Sequence, residues 1–181
     1  MKLRVATFNI QHGRNHNLDG DIIDIPLMAQ NAADTDASII GFNEVRFGSL
    51  PEDSEYPDTP AILGRLLNGD YIFGKAVTVE AGRDYGNALV SKYPIIEYEV
   101  ISIPNRSFFG RSYGEPRSII RALVDIDGIK LTVLVSHFGL SQKAQEIAAD
   151  TVIGIAKDVD TPIIFMGDLN VQPDNTCNKM I

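Results

Sequence analysis

The pattern of apolar and polar residues predicts a chain built mainly from β-strands. Apolar runs that are bounded by turn-forming residues are typical of strands buried on both faces. One such run, residues 163–166, leads directly into Gly-Asp-Leu-Asn at 167–170. Other segments alternate or are rich in β-branched and aromatic residues, which also favour strands. The predicted strands are residues 3–10, 38–43, 71–80, 87–91, 96–103, 118–125, 130–136 and 163–166.

Three segments between these strands have the pattern of helices. Residues 26–33 and 60–67 each begin with a proline, which is favoured in the first turn of a helix. Residues 141–157 carry apolar residues at amphipathic spacing, with Ser141 as the expected N-cap. Strands with interspersed helices, and without repeats or a linker, predict one α/β or α+β domain over residues 1–181. Either a mixed sheet or two packed sheets would account for this pattern.

Composition narrows the class of protein. The 181 residues include 44% hydrophobic and 22% charged residues, which is typical of a globular domain. The single Cys177 excludes an internal disulfide framework and a cysteine-based zinc site. Without a long apolar run for a signal peptide or a membrane span, we expect a cytoplasmic protein, although secretion stays open. The net charge of −8 disfavours a passive nucleic-acid coat protein, but a divalent cation in an acidic site would still attract phosphates.

Polar side chains follow four of the predicted strands. They are Asn9, Glu44, His137, and Asp168 together with Asn170. Each one alone is also explained by a turn or by an exposed strand end. Together they offer carboxylate, amide and imidazole groups without cysteine, which is the donor set of a hard cation such as Mg²⁺ or Mn²⁺. If the last strand extends that far, period-two geometry points Asp168 and Asn170 the same way.

Five short segments resemble the endonuclease/exonuclease/phosphatase superfamily, which includes pancreatic deoxyribonuclease, abasic-site endonucleases, inositol phosphatases and neutral sphingomyelinases. The segments occur in the family's order and spread from Ala6 to Asn170. The resemblance implies two packed mixed β-sheets flanked by helices in a four-layer sandwich, and hydrolysis of a phosphoester. The segments are Ala-Thr-Phe-Asn-Ile at 6–10, Gly-Phe-Asn-Glu-Val at 41–45, Gly-Asn-Ala-Leu-Val-Ser-Lys-Tyr-Pro-Ile at 86–95, Val-Ser-His-Phe at 135–138 and Gly-Asp-Leu-Asn at 167–170.

The resemblance also implies roles for the polar strand ends. Glu44 would be the metal ligand, with Asn9 beside it. Asp168 would orient or deprotonate the attacking water. Asn170 would hold a phosphate oxygen or a second metal position, and His137 would contact the phosphate or support the charge network.

Three further residues are expected to bind substrate. Arg46 directly follows the matching segment 41–45 and resembles a family substrate contact, Asn87 lies in the matching segment 86–95, and Arg117 is a weaker phosphate candidate. Arg117 follows the basic, aromatic-containing segment 105–116, which suits a phosphate-contacting surface and an ordinary loop equally well. The expected substrate is a phosphoester in nucleic acid, a small phosphodiester or a phospholipid head group.

One departure from the family leaves a second hypothesis open. The family continues beyond the Gly-Asp-x-Asn strand to a Ser-Asp-His-like segment, whereas the histidines here are His12, His16 and His137. A truncated chain, completion by another chain, or impaired activity would each explain this difference, and uncovered sheet edges would favour self-association. The first hypothesis is therefore a metal-dependent phosphodiesterase, nuclease or phosphatase. The second is a catalytically impaired scaffold that binds a phosphate ligand or a protein.

Overall fold

A computed structural model describes residues 2–17, 19, 22–48, 58–79, 82–105 and 110–172. Within these residues the strands form two four-stranded sheets. In chain order the elements are β1 (Val5–Asn9), a 3-10 turn (Gln11–Gly13), α1 (Ile25–Ala33), β2 (Ile39–Phe47), α2 (Thr59–Leu66), β3 (Asp70–Thr78), β4 (Asp84–Ser91), β5 (Ile95–Ser102), β6 (Ser118–Ile126), β7 (Ile129–His137), α3 (Gln142–Lys157) and β8 (Ile163–Asp168).

The two sheets are mixed and lie between helices. The first has the order β1-β2-β4-β3 and the second β5-β6-β7-β8. Both contain one parallel pair, β1 with β2 and β7 with β8, while the other pairs are antiparallel. The two-sheet architecture implied by the resemblance is therefore confirmed.

Three apolar clusters separate the four layers. Ile40 and Phe42 of β2 pack with α1 and α2 on the outer face of the first sheet. Ile39, on the opposite face of the same strand, packs between the two sheets with residues such as Val135. The second sheet packs against α3 through a third cluster that includes Phe138. The alternation of side chains along a strand thus gives β2 two buried faces, which explains the run without polar side chains at residues 39–42.

The predicted elements agree with the structure apart from three local differences. Strand β2 does not end near Glu44 but continues to Phe47, and β4 begins at Asp84, before the predicted start of that strand at residue 87. Strand β8 ends at Asp168, so Asn170 does not share an extended strand with it. Ser141 caps α3 as predicted, by accepting a hydrogen bond from the backbone N–H of Ala144.

Two buried amides tie the sheets together. The side-chain nitrogen of Asn43 donates to Asn87 Oδ1 at 2.8 Å and to the carbonyl of Ser136 at 3.0 Å. Asn43 Oδ1 accepts from the backbone N–H of Asp168 at 2.8 Å. The Asn87 amide in turn donates to the Ser118 carbonyl at 3.1 Å. Three of these bonds join the first sheet to the second and fix the relative position of the two sheets, while the bond from Asn43 to Asn87 joins β2 to β4 within the first sheet.

Replacement of Asn43 by leucine should lower the free energy of unfolding by at least about 3 kcal/mol, because buried partners that lose a hydrogen bond cost about 1–3 kcal/mol each. Urea denaturation measures the change as a shift in midpoint at constant slope. Gln30→Ala is the control, since that exposed amide bonds Asp34 on the surface of α1. Equal midpoints for the two variants would contradict the bracing role of Asn43.

Candidate active site

The site is centred on the amide of Asn9, which joins two carboxylates. Asn9 Nδ2 donates to Glu44 Oε1 and to Asp168 Oδ2, both at 2.9 Å. The three residues come from β1, β2 and β8, and therefore from both sheets. A neutral amide does not neutralise the two carboxylates, whose oxygens are of the kind that a hard divalent cation prefers.

Glu44 lies at an irregularity of β2. The pairing of β2 with β4 shifts between Phe42 and Val45, and Glu44 has a φ of 59°. Phe42 and Val45 both face the helix-side core although they are three residues apart, so the bulge adds one residue. A left-handed conformation is costly for a glutamate and is maintained by the surrounding sheet. The bulge directs the Glu44 carboxylate towards Asn9.

The turn after β8 brings Asp168 and Asn170 together. Asp168 Oδ1 accepts from the backbone N–H of Asn170 at 3.0 Å, and Asn170 has a φ of 52°. This is the Asx turn that competed with the extended-strand prediction. Gly167 is required before it: its φ is 146°, and a Cβ there would lie 1.8 Å from the Ser136 carbonyl oxygen.

His137 is 4% exposed and has a donor at each ring nitrogen. Its Nδ1 lies 3.1 Å from Arg117, and its Nε2 lies 2.9 Å from Asn170 Nδ2. The Asp168 carboxylate is 3.9 Å from Nε2. Burial, followed by the charge of Arg117, lowers the pKa of His137, and the opposing effects of Asp168 and Glu44 are smaller. The ring is therefore neutral near pH 7.

The environment of Asp168 favours its ionised carboxylate form. Burial raises the pKa of its carboxyl group, but hydrogen bonds from Asn9 and from the Asn170 backbone, together with the charges of His137 and Arg117, more than offset that effect. The resulting pKa lies below its usual value. A carboxylate with a low pKa is a weak base, but it orients a hydrogen-bonded water well.

Tyr85 was missed by sequence reasoning. It pairs with Arg46 across β2 and β4, and its phenol interacts with Arg117 and with the charge of Glu44. Burial, followed by the negative charge of Glu44, raises its pKa, so the phenol remains protonated. Tyr85 lies before the predicted strand 87–91, in a segment where no sequence signal indicates a functional residue. Because β4 and β6 are antiparallel to their neighbours, their amino ends, with Tyr85 and Arg117, lie at the same edge.

The three residues predicted to bind substrate are not equally accessible at the candidate site. Arg46 is partly buried and lies opposite Tyr85. Asn87 does not face the site surface, since it is 2% exposed and both ends of its amide bond to protein. The Arg117 side chain is 12% exposed and bonds to Glu115 at 2.9 Å. In the basic segment, Arg106 lies outside the described residues.

The donor set fits a hard divalent cation. Among the described residues, no group of three or more His, Cys, Asp and Glu side chains could hold a metal ion. Mg²⁺, however, is commonly held by one or two carboxylates, several waters and substrate phosphate oxygens. Glu44 and Asp168 meet that requirement, with the amides of Asn9 and Asn170 beside them.

Residues 6–176 match the model of the Endonuclease/Exonuclease/phosphatase family. The chain belongs to this family. A family structure from Beutenbergia cavernae is 26% identical, with a TM-score of 0.79 over 98% of this chain and 52% of that one. The chain thus spans about half the length of that structure. No curated protein matches it.

More distant structures share the fold. A mannosyl-6-phosphatase from Bacteroides thetaiotaomicron is 19% identical, with a TM-score of 0.72 over 99% of this chain and 69% of that one. A hairpin-deletion mutant of beta toxin from Staphylococcus aureus is 17% identical, with a TM-score of 0.69 over 98% and 70% of the two chains. Among the residues of this chain that the structure describes, no helix is long and apolar enough to cross a membrane.

Gly167→Ala should destabilise the protein by more than about 3 kcal/mol, because the added methyl group would collide with the Ser136 carbonyl at a strained φ. Gly154→Ala is the matched control. Its added Cβ meets nothing within 4 Å in α3, so it should stabilise the protein by about 0.5–1 kcal/mol. Thermal and urea unfolding of both variants measure the difference. Two changes of the same sign and size would refute the steric requirement at Gly167.

Stability should fall as the pH drops below about 6.5, in part because of His137. The folded-state pKa of His137 is lowered, so the unfolded chain binds this proton first. Protonation of His137 therefore has no effect on the free energy of unfolding at higher pH, and it lowers this free energy as the pH decreases. Urea unfolding in EDTA between pH 8 and about pH 5 should give a steeper loss for the wild type than for His137→Gln. Parallel curves would contradict a depressed pKa at His137.

Proposed function

We propose that the protein is a divalent-metal-dependent hydrolase of phosphoester bonds. The observation that carries the proposal is the pair of carboxylates, Glu44 and Asp168, that share the amide of Asn9. Membership of the endonuclease/exonuclease/phosphatase family supports the same class of reaction. The neutral His137 and the amide of Asn170 beside the carboxylates add groups suited to a phosphate.

Glu44 and Asn9 would hold Mg²⁺ or Mn²⁺, with Asn170 available for a phosphate oxygen or a second metal position. When bound, the cation would neutralise phosphate charge and stabilise the leaving oxygen. Asp168, with its lowered pKa, would orient the attacking water by accepting its hydrogen bond, rather than act as a strong base. The neutral ring of His137 would donate its N–H to a phosphate oxygen.

Arg46 and Tyr85 form the side of the site that would meet the substrate. They are cross-strand neighbours and lie on the same face of the first sheet. An arginine recognises phosphate through several N–H groups, and a protonated phenol can donate one more hydrogen bond. The net charge of −8 opposes long-range attraction of duplex nucleic acid, so we infer small phosphoesters as the preferred substrates.

The test is turnover of p-nitrophenyl phosphate, bis-p-nitrophenyl phosphate, single-stranded and duplex DNA, and phosphocholine lipids with Mg²⁺ or Mn²⁺. We expect EDTA to abolish turnover and Glu44→Gln to lower kcat by about 100-fold or more, as loss of an electrostatic stabiliser does in other hydrolases. Glu97→Gln removes the same charge from an exposed position of β5 and should leave kcat unchanged.

Activity that survives both EDTA and Glu44→Gln would exclude the metal assignment. Binding of inorganic phosphate by calorimetry, without turnover of any substrate, would instead favour the second hypothesis of an impaired hydrolase scaffold. The mannosyl-6-phosphatase among the structural relatives makes a sugar phosphate a reasonable addition to the panel.

A further inference from the structure

Arg117 is enclosed by protein groups at the edge of the site. One guanidinium nitrogen lies 2.9 Å from Glu115 Oε1 and 3.1 Å from His137 Nδ1. The phenol of Tyr85 also lies close enough to this side chain for the two to interact. Only 12% of it is exposed. A side chain engaged in this way has little surface left for a substrate phosphate, so its main contact in the site is the ring of His137.

The contact with Arg117 constrains the position of the imidazole proton. A guanidinium donates hydrogen bonds and never accepts them. Nδ1 of a neutral His137 must therefore present its lone pair to Arg117, which leaves the ring proton on Nε2. The Asp168 carboxylate, 3.9 Å from Nε2, favours a proton at the same nitrogen.

Asn170 opposes this arrangement. Its side-chain nitrogen lies 2.9 Å from Nε2 and donates to the Phe138 carbonyl at 3.0 Å, so the amide N–H favours an unprotonated Nε2. The neutral ring cannot accept at both nitrogens. Hydrogen bonds from an ionised donor are about twice as strong as those between neutral groups. Arg117 therefore prevails over the Asn170 amide.

We propose that Arg117 is a positioning residue that holds neutral His137 with its proton on Nε2, directed towards Asp168 and the candidate reaction site. Glu115 fixes one side of the guanidinium, and Tyr85 contacts it as well. Without Arg117, the Asn170 amide would be the stronger partner, and the proton would move to Nδ1. His137 would then offer no N–H to a phosphate oxygen. This catalytic consequence rests on the proposed function, whereas the tautomer itself does not.

Nitrogen-15 NMR of the full chain in EDTA distinguishes the two tautomers by which ring nitrogen carries hydrogen. The chain has three histidines, and the signals of His137 are identified as those that disappear from the spectrum of His137→Gln. We expect Nε2 to be protonated in the wild type and Nδ1 to be protonated in Arg117→Met. Arg117→Lys retains a charged donor and should keep the wild-type pattern.

The matched control is Arg121→Met, which removes an arginine of β6 from an ion pair with Glu99 at 2.9 Å. It should leave the His137 spectrum unchanged. A protonated Nδ1 in the wild type, or an unchanged tautomer in Arg117→Met, would overturn the proposal. If Arg117→Met does not fold, the spectra of the wild type and of Arg117→Lys still decide it, because a protonated Nδ1 in either one refutes the role of Arg117.

Kinetics separate this inference from the proposed function. Arg117→Met should lower kcat by about 10–100-fold with little change in KM, as loss of a supporting residue behind an active-site group does. A raised KM with unchanged kcat would identify Arg117 as a substrate contact and overturn its positioning role. Absence of turnover in every variant, with the expected tautomers present, would refute the hydrolase proposal alone and support the positioning of His137.

Discussion

The geometry of the site depends on the buried amide of Asn43. Its three hydrogen bonds reach Asn87, the Ser136 carbonyl and the backbone N–H of Asp168. Asn43 also directly precedes Glu44, so one rigid side chain controls the position of both carboxylates. The bond to Asp168 spans 125 residues of sequence. Because these groups are buried, each lost bond leaves a partner without a hydrogen bond where water cannot replace it. Replacement of Asn43 is therefore costly in free energy.

This brace allows two carboxylates and an arginine to coexist at one edge of the sandwich. On one side, Glu44 and Asp168 share Asn9 and carry the negative charge that suits a cation. On the other side, Arg117 brings positive charge next to His137, and burial together with that charge lowers the pKa of the imidazole. The site therefore separates opposite charges across a short distance. A neutral ring between them can present an N–H without repelling the cation that we propose for the carboxylates.

Much of the fold could be predicted from the sequence because apolar periodicity and helix caps are local signals. Strand ends also pointed to Asn9, His137 and Asp168. The bulge at Glu44 could not be predicted, since the extra residue is evident only from the pairing with β4.

The positions of Tyr85 and Asn87 also depend on contacts with other strands and could not be predicted from the sequence. Tyr85 lies in a stretch of polar residues and glycine that has the composition of a turn, although it pairs with β2. Asn87 resembles a surface contact in sequence but is buried by strands of the second sheet. In both cases the decisive contacts are tertiary. They connect segments whose relative register is set by side-chain hydrogen bonds that no local pattern encodes.

An apolar interface between the sheets would stabilise the sandwich without defining how far one sheet can slide along the other, because hydrophobic contacts are not directional. The site requires more than that, since Asn9 and Glu44 belong to the first sheet while His137 and Asp168 belong to the second. A slide of one sheet along the other would separate Asn9 and Glu44 from Asp168. Directional bonds from Asn43 and Asn87 exclude such shifts. The polar groups buried between the sheets are therefore the physical link between the fold and the candidate chemistry.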